Sequence, residues 1–134
     1  ETLNFIHVLL GRADFVPGGT PWVEDRDFFR IEGSVGSEKR QTMIRKFNNP
    51  RHSSKVFLLS TRAASLGINL QMASRVVLFD VSFNPCHDVQ AIFRAYRFHQ
   101  KRHVYVYRLV AEGTMEDSVF VRQMEKTGLF SRVV

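Results

Sequence analysis

Three runs of consecutive apolar residues constrain the fold of this chain more than any other feature of its sequence. The runs cover residues 56–59, 76–79 and 104–107, and an apolar run without polar alternation is typical of a strand that is covered on both faces. A helical pattern over residues 87–98 separates the second run from the third. Strands that alternate with helices predict an α/β fold with an open, mostly parallel sheet flanked by helices.

Shorter signals predict the remaining elements. Ser37 and Thr114 are candidate N-caps, and Asp117 completes the spacing of a capping box with Thr114. The predicted elements outside the apolar runs are a helix over residues 3–10, a strand over residues 28–32, a helix from Ser37 to about Asn48, and a final helix that Thr114 opens.

Composition excludes several classes of protein. The 134 residues suit one compact domain, and no stretch approaches the roughly 18 consecutive apolar residues that a membrane span needs. Cys86 is the only cysteine, so no intrachain disulfide can form, and no His and Cys spacing indicates a metal site. We therefore expect a soluble domain from a reducing compartment, with no membrane partner and no metal site of its own.

Charge is distributed unevenly along the chain. Residues 39–108 hold thirteen Lys and Arg against Asp80 and Asp88, a net charge of +11, whereas residues 1–38 carry −4 and residues 109–134 carry −1. Clustered Lys and Arg side chains neutralise phosphates and release counterions. The central block therefore favours a polyanionic partner such as nucleic acid or a nucleotide, although a solvated basic surface would have the same composition.

Gln90, Arg94 and Arg97 have the spacing of one helix face. At 100° per residue they fall within about 60° of one another. Arg is always charged, planar and able to bind phosphate oxygens in pairs, so two guanidiniums on one face suit phosphoryl transfer, where negative charge develops. The alternative is that an apolar face with Val89 and Phe93 packs on the sheet while the three polar residues face water.

Polar residues follow the predicted strands at their carboxyl ends, where ligands of open α/β sheets bind. Residues 60–70 offer hydroxyls, a cation and a glycine that can contact a phosphate backbone or a nucleotide. A smaller cluster of Arg30, Ser34 and Arg40 lies around the first strand, and Asp80 follows a later one. The local alternative is that these residues only cap helices and close turns.

Two motifs of nucleotide hydrolases are missing from the sequence. The chain has no G-x-x-x-x-G-K-[ST] phosphate loop and no acidic D-E-x-x motif for Mg²⁺. It cannot hold the β- and γ-phosphates and the metal by itself. If the protein is an ATPase, this chain supplies one half of the site.

Several motifs occur together in a fixed order. They are residues 29–34, residues 59–63, residues 67–70, residues 75–80, Asn84-Pro85 and Gln90-Ala91-x-x-Arg94-x-x-Arg97-x-x-Gln100. This order resembles the second RecA-like lobe of SNF2-family chromatin-remodelling ATPases, within helicase superfamily 2. Residues 113–117, Arg122-Gln123 and the ending Arg132-Val133-Val134 look most like the ATRX subgroup.

The resemblance implies a P-loop-NTPase-type fold and the C-terminal lobe of an ATPase that translocates on double-stranded DNA and remodels nucleosomes in the nucleus. ATP with Mg²⁺ would lie between two lobes, and the N-terminal RecA-like lobe would hold the Mg²⁺. We expect residues 1–134 to be one helicase C-terminal domain that lacks its first strand and that N-terminal lobe, and to be inactive in isolation.

The resemblance also implies roles for individual residues. Arg94 and Arg97 match the catalytic arginine fingers that reach the γ-phosphate on the other lobe. The residues matched to nucleotide binding are Gln90, Gly67, Asn69, Arg94 and Arg97. Those matched to contact with the DNA backbone are Arg30, Ser34, Arg40, Ser60, Thr61 and Arg62, and those matched to the coupling of hydrolysis to DNA movement are Asp80 and Phe83.

Three other functions remain open at the level of sequence. Ala64 and His99 stand where the family usually has Gly, which permits a DNA-binding remnant whose ATPase activity has decayed. The second is a strand-separating helicase of the same superfamily, which would unwind a tailed duplex, whereas a translocase would depend on blunt duplex DNA. The third is an unrelated α/β interaction domain.

Overall fold

The computed structural model describes residues 1–60, 63, 67–80 and 82–133, with side chains described as far as residue 126. These residues divide into two compact units, Glu1–Met72 and Ala73–Val134. No helix within this described part is both long and apolar enough to cross a bilayer.

The first unit contains two helices and two strands among its described residues. They are α1 (Thr2–Leu10), β1 (Phe28–Ile31), α2 (Ser37–Phe47) and β2 (Val56–Leu59). The two strands are parallel, with Phe28 opposite Val56 and Ile31 opposite Leu59. This pairing places the segments that follow β1 and β2 at the same edge of the sheet.

The core of the first unit forms around β1, which is covered on both faces. Phe28 packs with Leu10, Val16 and Leu58 in one cluster, and Phe28 and Phe29 are at most 1% exposed. On the other side, the ring of Phe57 lies 5.8 Å from Phe29 and makes an edge contact with Phe47 of α2 at 5.1 Å. Burial on both faces thus explains the two consecutive phenylalanines that begin β1.

The second unit has the same alternation of strand and helix. Its described elements are β3 (Arg75–Leu78), α3 (Pro85–Ile92), β4 (Tyr105–Arg108) and α4 (Met115–Val133). Strands β3 and β4 are parallel, with Arg75 opposite Tyr105 and Leu78 opposite Arg108. The helix α3 lies in the connection between them, as a crossover between parallel strands requires.

The prediction of parallel strands flanked by helices is confirmed, but the described strands form two pairs and not one sheet. The predicted burial of both faces is wrong for β3 and β4. Exposed and half-buried residues alternate along β3, and β4 is exposed throughout. Each of these strands pairs only with the other among the described residues, so Val77 and Tyr107 remain about half exposed.

Two helix starts differ in detail from the sequence prediction. Gly36 is the N-cap of α2, and Ser37 is its first helical residue. At α4, Thr114 Oγ1 accepts a hydrogen bond from the Glu116 amide at 3.2 Å, as a capping residue should. The reciprocal carboxylate belongs to Glu116, whose Oε2 accepts from the Ala111 amide at 3.2 Å, and not to the predicted Asp117.

Candidate functional site

The helix α3 ends before the two candidate arginines, so the predicted helix over residues 87–98 is wrong in its second half. Asn84 caps the start by accepting a hydrogen bond from the Cys86 amide at 3.0 Å, and Pro85 occupies the first turn, where its missing N–H costs nothing. After Ile92 the chain tightens, because the Arg94 amide bonds the Ala91 carbonyl three residues back. We call residues 93–100 the arginine turn.

Side chains within the arginine turn complete the helix end. Arg97 Nε donates to the Phe93 carbonyl at 2.9 Å, and the side-chain amide of Gln100 donates to the Ala95 carbonyl at 3.2 Å. These bonds satisfy carbonyls that a helix would otherwise pair with amides further along the chain. Gln100 also donates to the Ala73 carbonyl at 2.8 Å, which fixes the end of the turn to the residues that precede β3.

Arg94 is half-buried, and Arg97 is exposed. Burial lowers the pKa of Arg94, and the nearby positive charge of Arg97 lowers it further. Arg94 Nε is buried and finds no hydrogen-bond partner among the described residues. Likewise, within the described part of the chain, no carboxylate forms a salt bridge with either arginine. The turn therefore presents two neighbouring cations without an anion.

The simpler interpretation, in which the arginines only face water above a packed apolar face, does not match these exposures. Val89, Phe93 and Tyr96 are 41%, 48% and 61% exposed, whereas Arg94 is half-buried. Gln90, the third member of the predicted face, lies exposed on α3. Because α3 stops at Ile92, Gln90 and the two arginines do not share one helix face.

The arginine turn does not start from the carboxyl end of a strand, where we expected the chemistry. Helix α3 leaves the carboxyl end of β3 through Asn84, but Gln100 is bonded to Ala73, two residues before β3 begins. The backbone amide of Gln100 donates to the Arg97 carbonyl at 2.9 Å. Arg97 thus lies on the return path toward the amino end of β3, because a crossover helix runs antiparallel to its strands.

Residues predicted to contact DNA meet at one edge of the first unit. The Ser60 amide bonds the Ile31 carbonyl at 3.2 Å, which places Ser60 beside the segment that contains the exposed Ser34. Ser60 Oγ accepts from the Ala63 amide at 3.2 Å, so its hydroxyl also has the local capping role that the sequence left open. Thr61, Arg62 and Ala64 lie outside the described residues.

The two arginines of this edge already have partners within the chain. Arg30 donates to the carboxylate of Glu32 and to the side-chain oxygen of Asn4, and its side chain is 18% exposed. Arg40 Nη2 donates to the Val35 carbonyl at 2.8 Å, while Arg40 Nε is buried without a partner in the described part of the chain. A DNA phosphate at Arg30 would therefore compete with Glu32.

Asn48, which the sequence analysis used only to end α2, holds the segment predicted to bind nucleotide. Its Nδ2 donates to the Asn69 carbonyl at 2.9 Å, and its Oδ1 accepts from the Met72 amide at 3.2 Å. Gly67 has a φ of +70°, a conformation that favours glycine. The Asn69 Oδ1 atom is buried and lacks a partner among the described residues. Gly67 and Asn69 belong to the first unit, and the arginine turn belongs to the second.

The two residues predicted to couple hydrolysis to movement follow β3. Asp80 is exposed, and Phe83 is 74% exposed. Sequence reasoning missed Gln123 of α4, whose amide donates to the carbonyl of Ser82 between them. Gln123 is buried, but it lies on a helix that mixes charged and apolar residues, so no sequence signal marked it as buried.

No group of three His, Cys, Asp or Glu side chains within the described residues is arranged to hold a metal ion. Cys86 is exposed and free. Of the histidines, His87 Nδ1 lies 3.2 Å from Ser82 Oγ, and His7 lies 3.4 Å from a Glu24 oxygen.

The sequence and the fold match one family of proteins. Residues 20–99 match the model of the helicase conserved C-terminal domain, so the chain belongs to that family. Among solved structures, the chain is similar to the C-terminal part of the Fun30 ATPase domain. The TM-score is 0.67 and the identity is 38%, over 72% of this chain and 31% of that one.

Relatives in several organisms show which members of the family this chain is similar to. Human Helicase ARIP4 is 45% identical over all of this chain, and the ATRX homolog of Drosophila melanogaster, a transcriptional regulator, is 51% identical over 84% of it. Protein CHROMATIN REMODELING 20 of Arabidopsis thaliana is 46% identical over 99%. The resemblance to the second RecA-like lobe of SNF2-family remodellers, with ATRX-like relatives, is confirmed. The chain spans about a tenth of the length of these relatives.

Proposed function

We propose that this chain is the C-terminal lobe of an ATP-dependent translocase that moves along double-stranded DNA and remodels nucleosomes in the nucleus. In this proposal Arg94 and Arg97 contact the phosphates of ATP held by a second, N-terminal lobe. Family membership supports an ATPase-type enzyme, since its relatives include helicases and part of an ATPase domain. The remaining steps rest on the chemistry of the two arginines and of the edge of the first unit.

The observation that carries the proposal is the pair of cations in the arginine turn. A half-buried guanidinium whose Nε has no partner among the described residues, next to a second guanidinium, is costly unless an anion approaches. A triphosphate supplies such an anion, and during hydrolysis its negative charge is redistributed over the oxygens of the transferred phosphoryl group and the leaving oxygen. Arg94 and Arg97 would therefore bind the transition state more strongly than the ground state.

The residues present fit contact with ATP but not a complete site for it. Gln90, Arg94 and Arg97 offer hydrogen-bond donors to phosphate oxygens, and Gly67 and Asn69 are further residues proposed to bind nucleotide. The sequence contains no phosphate loop and no acidic Mg²⁺ motif. Mg²⁺ would thus be held by the N-terminal lobe, where it neutralises phosphate charge when bound, and the isolated chain would hydrolyse no ATP.

DNA would lie against the edge formed by the ends of β1 and β2. Ser34 is exposed there. Arg40 bonds the carbonyl of Val35, the residue after Ser34, and its Nε has no partner in the described part of the chain. Ser60 begins the segment that also contains Thr61 and Arg62. Hydroxyl, amide and guanidinium donors are the groups that hold a DNA backbone without reading its sequence.

The test is hydrolysis by the full-length protein that contains this chain. We expect ATP turnover to rise severalfold when blunt duplex DNA is added. Absence of ATP turnover even with DNA present would indicate the decayed DNA-binding remnant. Unwinding of a tailed duplex, with no stimulation by blunt duplex, would favour the strand-separating helicase that the name of one relative suggests.

A further inference from the structure

Asp88 and Gln123 are the buried polar side chains of the second unit within the described part of the chain. Each is 4% exposed. Asp88 lies in the first turn of α3 and Gln123 in the middle of α4. Neither has a role in the phosphate chemistry proposed above. Because a buried polar group is costly unless it is hydrogen-bonded, their contacts explain why both are tolerated.

One side chain of α4 connects two segments of the second unit. The Gln123 amide donates to the Ser82 carbonyl. The same side chain lies within hydrogen-bonding reach of the buried Asp88 carboxyl, whose pKa it lowers. An ionised carboxylate can only accept, while a primary amide has two N–H groups. Gln123 can therefore serve both acceptors at once, one after β3 and one on α3.

The two connected segments are those that the proposed function uses. Ser82 lies between Asp80 and Phe83, and we call residues 80–83 the coupling segment. Asp88 lies on the short helix that carries Gln90 and leads directly into the arginine turn. Burial raises the pKa of Asp88, and the nearby positive charge of Arg108 opposes that rise. A carboxyl accepts hydrogen bonds in either protonation state, so Asp88 remains an acceptor for Gln123.

We propose that Gln123 and Asp88 are positioning residues, which hold the coupling segment and the start of the arginine turn in a fixed relation. The effect on turnover rests on the proposed function, since it acts through Arg94 and Arg97. A misplacement of about 1 Å at a reacting group can cost about a hundredfold in rate. Loss of the Gln123 amide should therefore lower kcat without removing any group that touches ATP.

The first arm of the test measures ATP hydrolysis by the full-length protein with duplex DNA. Gln123→Glu keeps the size of the side chain but cannot donate to Ser82 and places a carboxylate against Asp88. We expect its kcat to fall at least about tenfold and its KM for ATP to change less than about twofold. Met124→Glu adds the same charge one residue further on α4, at a position that is 49% exposed, and should leave both constants near wild type.

Conservative variants separate positioning from a general loss of stability. Asp88→Asn retains an acceptor oxygen for Gln123 and should keep most of the turnover. Asp88→Leu has no acceptor and should behave like Gln123→Glu. Wild-type kcat for both Gln123→Glu and Asp88→Leu would overturn the proposal, as would an equal loss of kcat in Asp88→Asn and Asp88→Leu.

The second arm needs no hydrolysis, so it stands even if the proposed function fails. Hydrogen exchange of the full-length protein should become faster at residues 82–84 and 93–97 in Gln123→Glu, but not in Met124→Glu. Unchanged exchange at both segments would overturn the link itself. Faster exchange in a protein whose wild type hydrolyses no ATP would support the link and contradict only the proposed function.

Discussion

His99 has a φ of +79°, in the left-handed region that favours glycine. The resemblance predicts glycine at this position, and the structure explains why, because the chain reverses here before Gln100 reaches Ala73. The ring of His99 meets Phe98 edge-on at 4.7 Å, but Phe98 is 89% exposed, so this contact offsets little of the backbone cost. The histidine is therefore a local source of strain in the arginine turn.

His99→Gly should raise the free energy of unfolding by about 0.5–1 kcal/mol, because relief of the left-handed strain outweighs the added freedom of the unfolded chain. Denaturant unfolding of the purified chain measures it. His103→Gly is the matched control, since His103 does not have a positive φ. It should lower stability by about 0.5–1 kcal/mol, and a loss of similar size in His99→Gly would show that residue 99 is not strained.

Asp88 should make stability depend on pH in the direction opposite to that of a salt-bridged carboxylate. Burial raises the pKa of Asp88, and the hydrogen bond from Gln123 offsets part of that rise. The cost of ionising it in the folded state is absent below its unfolded pKa and complete above its folded pKa. Asp88→Asn should therefore stabilise the chain at neutral pH, and this gain should disappear as the pH falls toward 4, near the ordinary Asp value of about 3.9.

Unfolding curves of wild type and Asp88→Asn at both pH values test this sign. Asp80→Asn, a change at an exposed carboxyl, is the control and should show no such pH-dependent gain. A stability advantage of Asp88→Asn that grows on acidification would contradict the account of the buried carboxyl.

At the scale of elements, the arginine turn depends on side chains that replace helical hydrogen bonds. Gln100 donates to the Ala73 and Ala95 carbonyls and accepts from the Arg102 amide at 3.0 Å. One side chain thus connects the middle of the arginine turn, the residues that follow the turn and the residues that precede β3. Gln100 also holds the backbone of Arg97, because the backbone amide of Gln100 donates to the Arg97 carbonyl.

Gln100→Ala should lower the free energy of unfolding by about 1–3 kcal/mol, because the Ala73 carbonyl and the Arg102 amide lose a partner. Amide exchange at residues 94–97 should become faster. Gln41→Ala on the exposed side of α2 is the comparison and should change neither quantity much. Equal effects of the two variants would contradict the role given to Gln100.

The sequence predicted the elements better than their ends. The four strands lie within one residue of their predicted positions, and apolar runs mark three of them directly. The end of helix α3 was predicted six residues too far along the chain, since Phe93, Tyr96 and the arginines continue its period. What stops it is a set of contacts from Arg97 and Gln100 to carbonyls, and hydrophobic periodicity carries no information on such contacts. Gln123 was missed for a related reason, because its partner Ser82 lies 41 residues away.

At the scale of the whole molecule, both units are basic. Glu1–Met72 holds ten Lys and Arg against seven acids, and Ala73–Val134 holds nine against six, so each carries a net charge of +3. This balance agrees with polyanionic partners for both: DNA at the first unit and a triphosphate at the second. The chain spans about a tenth of its relatives, so the second half of the site would come from the rest of the protein.

Arg97→Ala in the full-length protein tests the central claim most directly. The guanidinium is proposed to act on the γ-phosphate during hydrolysis, so DNA-stimulated kcat should fall at least about a thousandfold. The Kd of ATP should stay within about threefold, because the other lobe supplies most of the ground-state binding. Arg97→Lys keeps the charge but not the planar pair of donors and should restore little of the rate.

Lys101→Ala removes an exposed cation four residues away and should leave kcat within about twofold of wild type. The decisive measurement is therefore the ratio of kcat in Arg97→Ala to that in Lys101→Ala, taken with ATP binding to both proteins. A thousandfold ratio with equal ATP binding is the predicted result. Hydrolysis at the wild-type rate by Arg97→Ala would contradict the assignment of the arginine turn to ATP.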